Sequence, residues 1–201
     1  GALYDILVDK GMVFPLASFM THGVVDARHT VYDIAAEDDE GWANHVMNYL
    51  GRGTLLREFY ISPEKLTPRR WEILARGLAW ARSLDSCMAE SHFILGDPRK
   101  GELFGYAGDD GDMSYVSLRN PSLCGTNVTA RDLGVVGRLC EIVYPYHAYV
   151  IPRTDTTFTI PGEAVWQMIS VPRDDISHPV ILGARSTLMK STYSSTQYRV
   201  Y

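Results

Sequence analysis

The sequence predicts an α/β segment followed by an all-β segment, and three observations carry that prediction. Up to about residue 88, apolar runs alternate with stretches whose apolar residues recur at helical spacing. Beyond residue 90, short apolar segments are separated by turn signals at intervals of roughly 8 to 12 residues. The composition, 46% hydrophobic and 21% charged over 201 residues, is that of a globular chain with room for a sizeable core.

The elements follow in order. Residues 3–8 and 12–20 are apolar, the second run interrupted by Pro15 and closed by Thr21-His22-Gly23, the pattern of buried strands that deliver side chains to a loop. Residues 35–41 are acidic and read as a loop. Trp42, Val46, Tyr49 and Leu50 then share one helix face and stop at Gly51. Residues 54–61 are strand-like and end at Ser62-Pro63. Thr67 caps the next helix and Pro68 takes its first position. Trp71, Leu74, Ala75 and Leu78 form its apolar face, and it runs to about Ser83. Residues 103–107, 115–118, 140–150, 156–160 and 164–171 follow as strands, divided by Gly96-Asp97-Pro98, residues 108–111, Asn120-Pro121, Pro152 and Pro161-Gly162. That alternation fits an antiparallel sandwich or barrel. Two parallel strands are too few for a domain, because a parallel sheet needs more strands and cover on both faces.

Several function classes are excluded. No apolar stretch approaches the roughly 18 to 20 residues of a membrane span. The net charge is −5, and no Lys/Arg run exceeds two residues, which argues against a nucleic-acid partner. Three cysteines, Cys87, Cys124 and Cys140, are too few and scattered for a zinc site; they read as free thiols, with a Cys124–Cys140 bridge open. The six histidines lack metal-ligand spacing, so no metal or other cofactor is expected. Asp109, Asp110 and Asp112 around Gly111 lack the closing glutamate of a calcium loop. Asn127-Val128-Thr129 is a glycosylation sequon.

From Thr54 to Ser122 a set of ordered motifs stands out: Glu58-Phe59-Tyr60-Ile61-Ser62-Pro63, Trp71 with Leu74-Ala75, Gly96-Asp97-Pro98, Gly101-Glu102, Gly105-Tyr106-Ala107 and Leu118-Arg119-Asn120-Pro121-Ser122. Upstream, Phe14-Pro15-Leu16 and Met20-Thr21-His22-Gly23 extend the set. In these elements the chain resembles the rear of melibiase-like glycoside hydrolases, the α-galactosidase-related enzymes and their relatives acting on α-linked N-acetylgalactosamine. The resemblance implies the end of a (β/α)8 barrel over residues 1–88, with strands at 12–21 and 54–61 and a closing helix at 67–83. A β-sandwich accessory domain over 89–201 would follow. It also implies a retaining, two-carboxylate reaction on a carbohydrate substrate. The catalytic carboxylates would lie in an upstream remainder of the same protein, leaving this segment inactive alone and its own catalytic residues unassigned. Relatives of this kind are often exported, which implies secretion or a periplasmic location.

Glycoside hydrolysis needs two carboxyl groups flanking the scissile bond. Asp26, Glu58, Asp97 and Glu102 are the carboxylates near motif-like sequence. Glu58 lies inside an apolar strand, and the alternation of strand side chains sends Arg57 and Glu58 to opposite faces. Glu58 is thus either a substrate-side group or an ion-paired support of the barrel wall. His22 at a strand-to-loop transition either bonds a sugar hydroxyl or ties the loop to backbone, with Gly23 supplying turn freedom. Tyr60 and Trp42 either stack on a sugar ring or fill the core. Substrate-binding candidates are therefore His22, Glu58 and Tyr60. Asp97 and Asn120 read as turn-holding residues. Two rival readings concern the β half. It is a carbohydrate-binding module using Tyr144, Tyr146, Tyr149 and Trp166, or a purely structural accessory domain.

Overall fold

A computed structural model describes residues 4–5, 14–26, 38–172, 186–192 and 195–200. Of the predicted run at 3–8 only residues 4–5 are described, and residues 35–37 of the acidic stretch lie outside the described residues. An α/β segment precedes a mostly antiparallel β segment, as the sequence patterns predict.

The first strand, β1 (Met20–Asp26), begins later than predicted. Pro15 leads into a 3-10 turn, Leu16–Ser18, which buries Leu16 against Tyr106, Phe19, Phe93 and Phe104. Helix α1 (Asp39–Leu50) follows, and the acids expected to form a loop instead start it. The Asp38 side chain accepts from the Gly41 amide, while Asp39 and Glu40 occupy the first turn, where carboxylates complement the helix dipole. Trp42, Val46, Tyr49 and Leu50 are buried as one face. Trp42 is core, not a stacking platform; its indole N–H donates to the Arg70 carbonyl and the Arg70 guanidinium lies over its ring.

Strand β2 (Leu56–Ile61) pairs with β1 in parallel, Met20 facing Leu56 and His22 facing Glu58. Helix α2 (Pro68–Ser83) starts as predicted: Thr67 Oγ1 accepts from the Arg70 amide and Pro68 follows it. Its buried stripe is turned from the expected one, running through Arg70, Leu74, Gly77, Trp80 and Ala81, with Trp71 exposed. Gly77 explains the rotation, since a Cβ there would lie 2.9 Å from Leu50 Cδ1. The close crossing of α1 and α2 selects the small residue. Helix α3 (Asp85–Ala89) completes this part.

The antiparallel part comprises β3 (His92–Leu95), β4 (Phe104–Asp109), β5 (Ser114–Arg119), β6 (Thr126–Thr129), β7 (Leu139–Tyr144), β8 (Ala148–Val150), β9 (Thr157–Ile160) and β10 (Val165–Val171). Six of these form one sheet in the order β3-β4-β5-β10-β7-β8, and β6 and β9 pair separately. The strand expected over 140–150 is a hairpin: β7 ends at Tyr144, Pro145 and Tyr146 turn, and β8 returns as the edge. A further antiparallel pair joins β11 (Ser186–Thr192) to β12 (Ser195–Val200).

Alternation along the sheet assigns its faces. Tyr115, Val165, Ile169 and Val171 meet the helices through Trp42, Leu74 and Trp80, so one apolar cluster joins the α/β part to the sheet. Val116, Leu118, Trp166, Met168 and Ile142 face the other way, onto Val128, Phe158 and Ile160 of the β6–β9 ribbon. The sheet therefore lies between helices and a two-stranded ribbon, so its two-layered β character is confined to the ribbon side. Gln167, fully buried, fastens the helices to the sheet by donating to the Met47 carbonyl and to Ser117 Oγ. All three cysteines are free; Cys140 is buried on β7 while Cys124 is exposed before β6, so the open bridge is not formed. Among the described residues no closed barrel is present and no helix is long and apolar enough to cross a membrane.

Candidate functional site

The parallel pair has two unlike faces. On β2, Arg57, Phe59 and Ile61 turn toward the helices. Phe59 and Ile61 pack against the main apolar cluster, and Arg57 reaches the Ala81 carbonyl and Asp85, 2.7 Å from Oδ1. Leu56, Glu58 and Tyr60 point the opposite way, as strand alternation requires. On β1, Thr21 and Gly23 face the helices, and Met20 and His22 share the face of Glu58.

Tyr49 of α1 aligns the two strands. Its hydroxyl donates to the Thr21 carbonyl at 2.9 Å and accepts from the Glu58 amide at 2.7 Å, bridging the two strands just before the register of β1 shifts between Gly23 and Val25. This role was not legible in the sequence. Helical spacing predicts Tyr49 as a core residue, but nothing in the pattern says where its hydroxyl ends. Gly23 is explained by the same contact: a Cβ would lie 2.1 Å from the Tyr49 ring, so the glycine makes room inside a strand and does not supply turn freedom.

The structure brings His22, Glu58 and Tyr60 together on the face away from the helices. His22 Nδ1 lies 2.9 Å from Glu58 Oε2, Tyr60 donates its hydroxyl to Glu58 Oε1 at 2.9 Å, and the His22 and Tyr60 rings meet edge-on at 5.3 Å. Glu58 is half-buried and His22 exposed, with side-chain exposures of 38% and 63%. The Glu58 carboxylate that takes the Tyr60 hydrogen bond raises the Tyr60 phenol above its ordinary value. His22 stands within β1 and not at a strand-to-loop transition. The trio offers a held carboxylate, an aromatic face and an imidazole whose second nitrogen has no partner among the described residues, a set suited to binding hydroxyl groups.

Asp97, Glu102, Asp109 and Asp110 are engaged elsewhere. Asp97 accepts from the Arg99 amide and guanidinium, which holds its carboxyl below the usual range, while Glu102 accepts from the Asp97 amide. Both close the β3–β4 turn. Asp109 and Asp110 accept from turn amides, and Asp110 also accepts from Ser86 Oγ. Asn120, fully buried, donates to the carbonyls of Cys124, Ile160 and Pro161 and accepts from the Ser122 amide, the turn-holding role its motif predicts. Asp26 lies at the end of β1. Among the described residues, no group of three or more His, Cys, Asp or Glu side chains could hold a metal. The row of aromatics proposed for the β half is also dispersed: Trp166 is fully buried, and Tyr144 is tied to Asn44 Oδ1.

No family model and no curated protein matches this chain. Solved structures do. A Bacillus halodurans protein provisionally assigned as an α-N-acetylgalactosaminidase matches with a TM-score of 0.50 and 15% identity, over 74% of this chain and 35% of that one. A GH27 β-L-arabinopyranosidase from Geobacillus stearothermophilus, in complex with arabinose, matches with a TM-score of 0.53 and 10% identity, over 75% of this chain and 35% of that one. An α-amylase from Geobacillus thermoleovorans, complexed with acarbose, matches with a TM-score of 0.51 and 11% identity, over 67% of this chain and 34% of that one. At these identities the likeness is one of fold, and the chain spans about a third of the length of each match. The resemblance of the sequence to melibiase-like glycoside hydrolases thus has a counterpart in structure.

Proposed function

We propose that this chain is the C-terminal part of a melibiase-like glycoside hydrolase, with residues 1–88 ending a catalytic barrel and 89–201 forming an accessory β-rich domain. The complete enzyme cleaves α-linked galactose or N-acetylgalactosamine by a retaining mechanism. Its two catalytic carboxylates belong to upstream strands, and the segment alone is inactive.

The observation that carries this reading is the face of β1 and β2 away from the helices. It combines Met20, Leu56 and Tyr60, which are 54%, 57% and 42% exposed, with the Glu58-centred polar trio. Parallel strands ordinarily have neighbours at both edges and cover on both faces. Closing a barrel on these two strands would turn that face inward and enclose Met20 and Leu56. Tyr60, near the C-terminal end of β2, would then point toward the rim where barrel active sites collect. In that setting Glu58 accepts from a substrate hydroxyl, His22 supplies a second hydrogen bond, and Tyr60 flanks the sugar ring while restraining Glu58.

The choice of an α-galactoside rests on the sequence motifs, because the fold alone is shared with an α-amylase. The test is hydrolysis of aryl α-galactoside, α-N-acetylgalactosaminide and α-glucoside by the complete protein and by this chain. Turnover of one of the first two by the complete protein, and none by the chain, is expected. Turnover by the chain alone would refute the assignment of its carboxylates upstream, and preference for the α-glucoside would refute the substrate class. In the complete protein, Glu58→Gln is expected to lower kcat/KM about tenfold or more, the cost of weakening one charged hydrogen bond.

A further inference from the structure

The β7–β8 hairpin carries a second cluster, remote in sequence from the parallel strands. Glu141 of β7 is 3% exposed, yet its Oε1 accepts two hydrogen bonds from side chains that are themselves largely exposed. One comes from His147 Nε2 at 2.5 Å and the other from the Tyr149 hydroxyl at 3.2 Å. The His147 side chain is 60% exposed and Tyr149 is 50% exposed, and their rings meet edge-on at 5.1 Å. Glu141 and Tyr149 face each other across the ladder, and β8 is the edge strand of the sheet. Tyr146 in the connecting turn is 48% exposed.

A buried carboxylate is costly unless paired and fully hydrogen-bonded. Here Oε2 is buried, with no donor among the described residues. Salt pairing to a surface histidine adds little stability, so burying this acid is a poor way to hold a hairpin. What the arrangement does achieve is to fix two exposed rings in one mutual orientation, which lowers the entropy lost when something stacks on them. With Nε2 committed to Glu141, the other imidazole nitrogen is directed away from the carboxylate and can exchange a hydrogen bond with a ligand. The buried negative charge disfavours anionic ligands. An exposed apolar ring face beside a fixed imidazole nitrogen suits a neutral, hydroxyl-rich ring.

We infer that Tyr149 and His147, positioned by Glu141, form a surface subsite for a neutral pyranoside, separate from the Glu58 face. The sugar stacks on the Tyr149 ring, and one hydroxyl bonds the outer nitrogen of His147. The inference stands on these residues alone and does not depend on the barrel reading.

The test is a saturation-transfer NMR titration of the full 201-residue chain with methyl α-D-galactopyranoside, with D-galacturonate as the anionic control. Saturable binding of the neutral sugar and none of the acid are expected. Tyr149→Ala and the exposed-site variant His147→Ala should each weaken binding about tenfold or more, the loss typical of a central contact. Glu141→Ala should do the same while Glu141→Gln, which keeps an acceptor oxygen, restores binding; a merely structural Glu141 would not show that rescue. His22→Ala should leave the titration unchanged. Absence of saturable binding, or binding untouched by His147→Ala and Tyr149→Ala, overturns the subsite. Loss of binding in His22→Ala also overturns it, by placing the sugar at the parallel strands, and would support the Glu58 site instead.

Discussion

Replacing Tyr49 by phenylalanine tests the alignment of the two parallel strands directly. The ring is 2% exposed, so the substitution preserves its packing against Phe59 and Gly23 and removes only the hydroxyl. That hydroxyl accepts from the Glu58 amide at 2.7 Å and donates to the Thr21 carbonyl at 2.9 Å. Leaving a buried donor without a partner costs about 1 to 3 kcal/mol, more than the net worth of the bond it made. A loss of about 2 kcal/mol follows, or a fall of about 4 to 8 °C in Tm at the sensitivity expected for a chain of this size. Urea titration followed by far-UV circular dichroism should show a lower midpoint with an unchanged slope, since the surface exposed on unfolding is the same. Because His22 faces Glu58 through the register that Tyr49 sets, the variant should also loosen their 2.9 Å contact. A midpoint within about 0.5 kcal/mol of the parent would refute the assignment of Tyr49 as the aligning residue.

Other measurements probe the remaining structure. Asn120→Ala strands three carbonyls around the turn before β6 and should cost about 2 to 4 kcal/mol by the same urea assay; a change under about 0.5 kcal/mol would contradict its bonding role. Cys124 alone should react with a thiol reagent near pH 8, because burial pushes the Cys87 and Cys140 thiols up to about 12. Labelling of Cys140 in the folded chain would count against the structure. Burial likewise raises the Tyr144 phenol to about 12. Each of these groups keeps its proton in the folded state beyond the pH at which the unfolded chain releases it. Their contribution is therefore complete below the ordinary values of 9.0 for cysteine and 10.0 for tyrosine and lost as pH rises toward about 12. Stability measured from pH 8 to 12 should hold to about pH 9 and then fall, and a flat profile would be inconsistent with burial of these groups.

Local physics makes part of this architecture readable from the residues alone. The start of α2 follows from Thr67 and Pro68, because a cap and a preformed φ act within one helical turn. The strands of the main sheet follow from short apolar runs between turn residues, and Asn120 from its position before Pro121. The opposite orientations of Arg57 and Glu58 follow from strand geometry. The resemblance to melibiase-like enzymes rests on the same short motifs, several of which encode a turn or a strand end.

Other features depended on neighbours that no local pattern names. The acids at 38–40 read as loop until the start of α1 makes them its cap and first turn. The buried stripe of α2 is rotated because Gly77 crosses α1 closely, and Gly23 is a glycine because Tyr49 arrives from 26 residues away. The hairpin at Pro145 exposes Tyr146 and Tyr149 while packing Trp166 inside, which separates residues that composition had grouped. His22, Glu58 and Tyr60 each carried a chemical identity in the sequence, but their meeting required the parallel register that Tyr49 sets. Residue type and spacing thus determined which elements form and which groups have useful chemistry. Tertiary contact alone decided which of those groups face each other, because burial and register depend on atoms far apart in the chain.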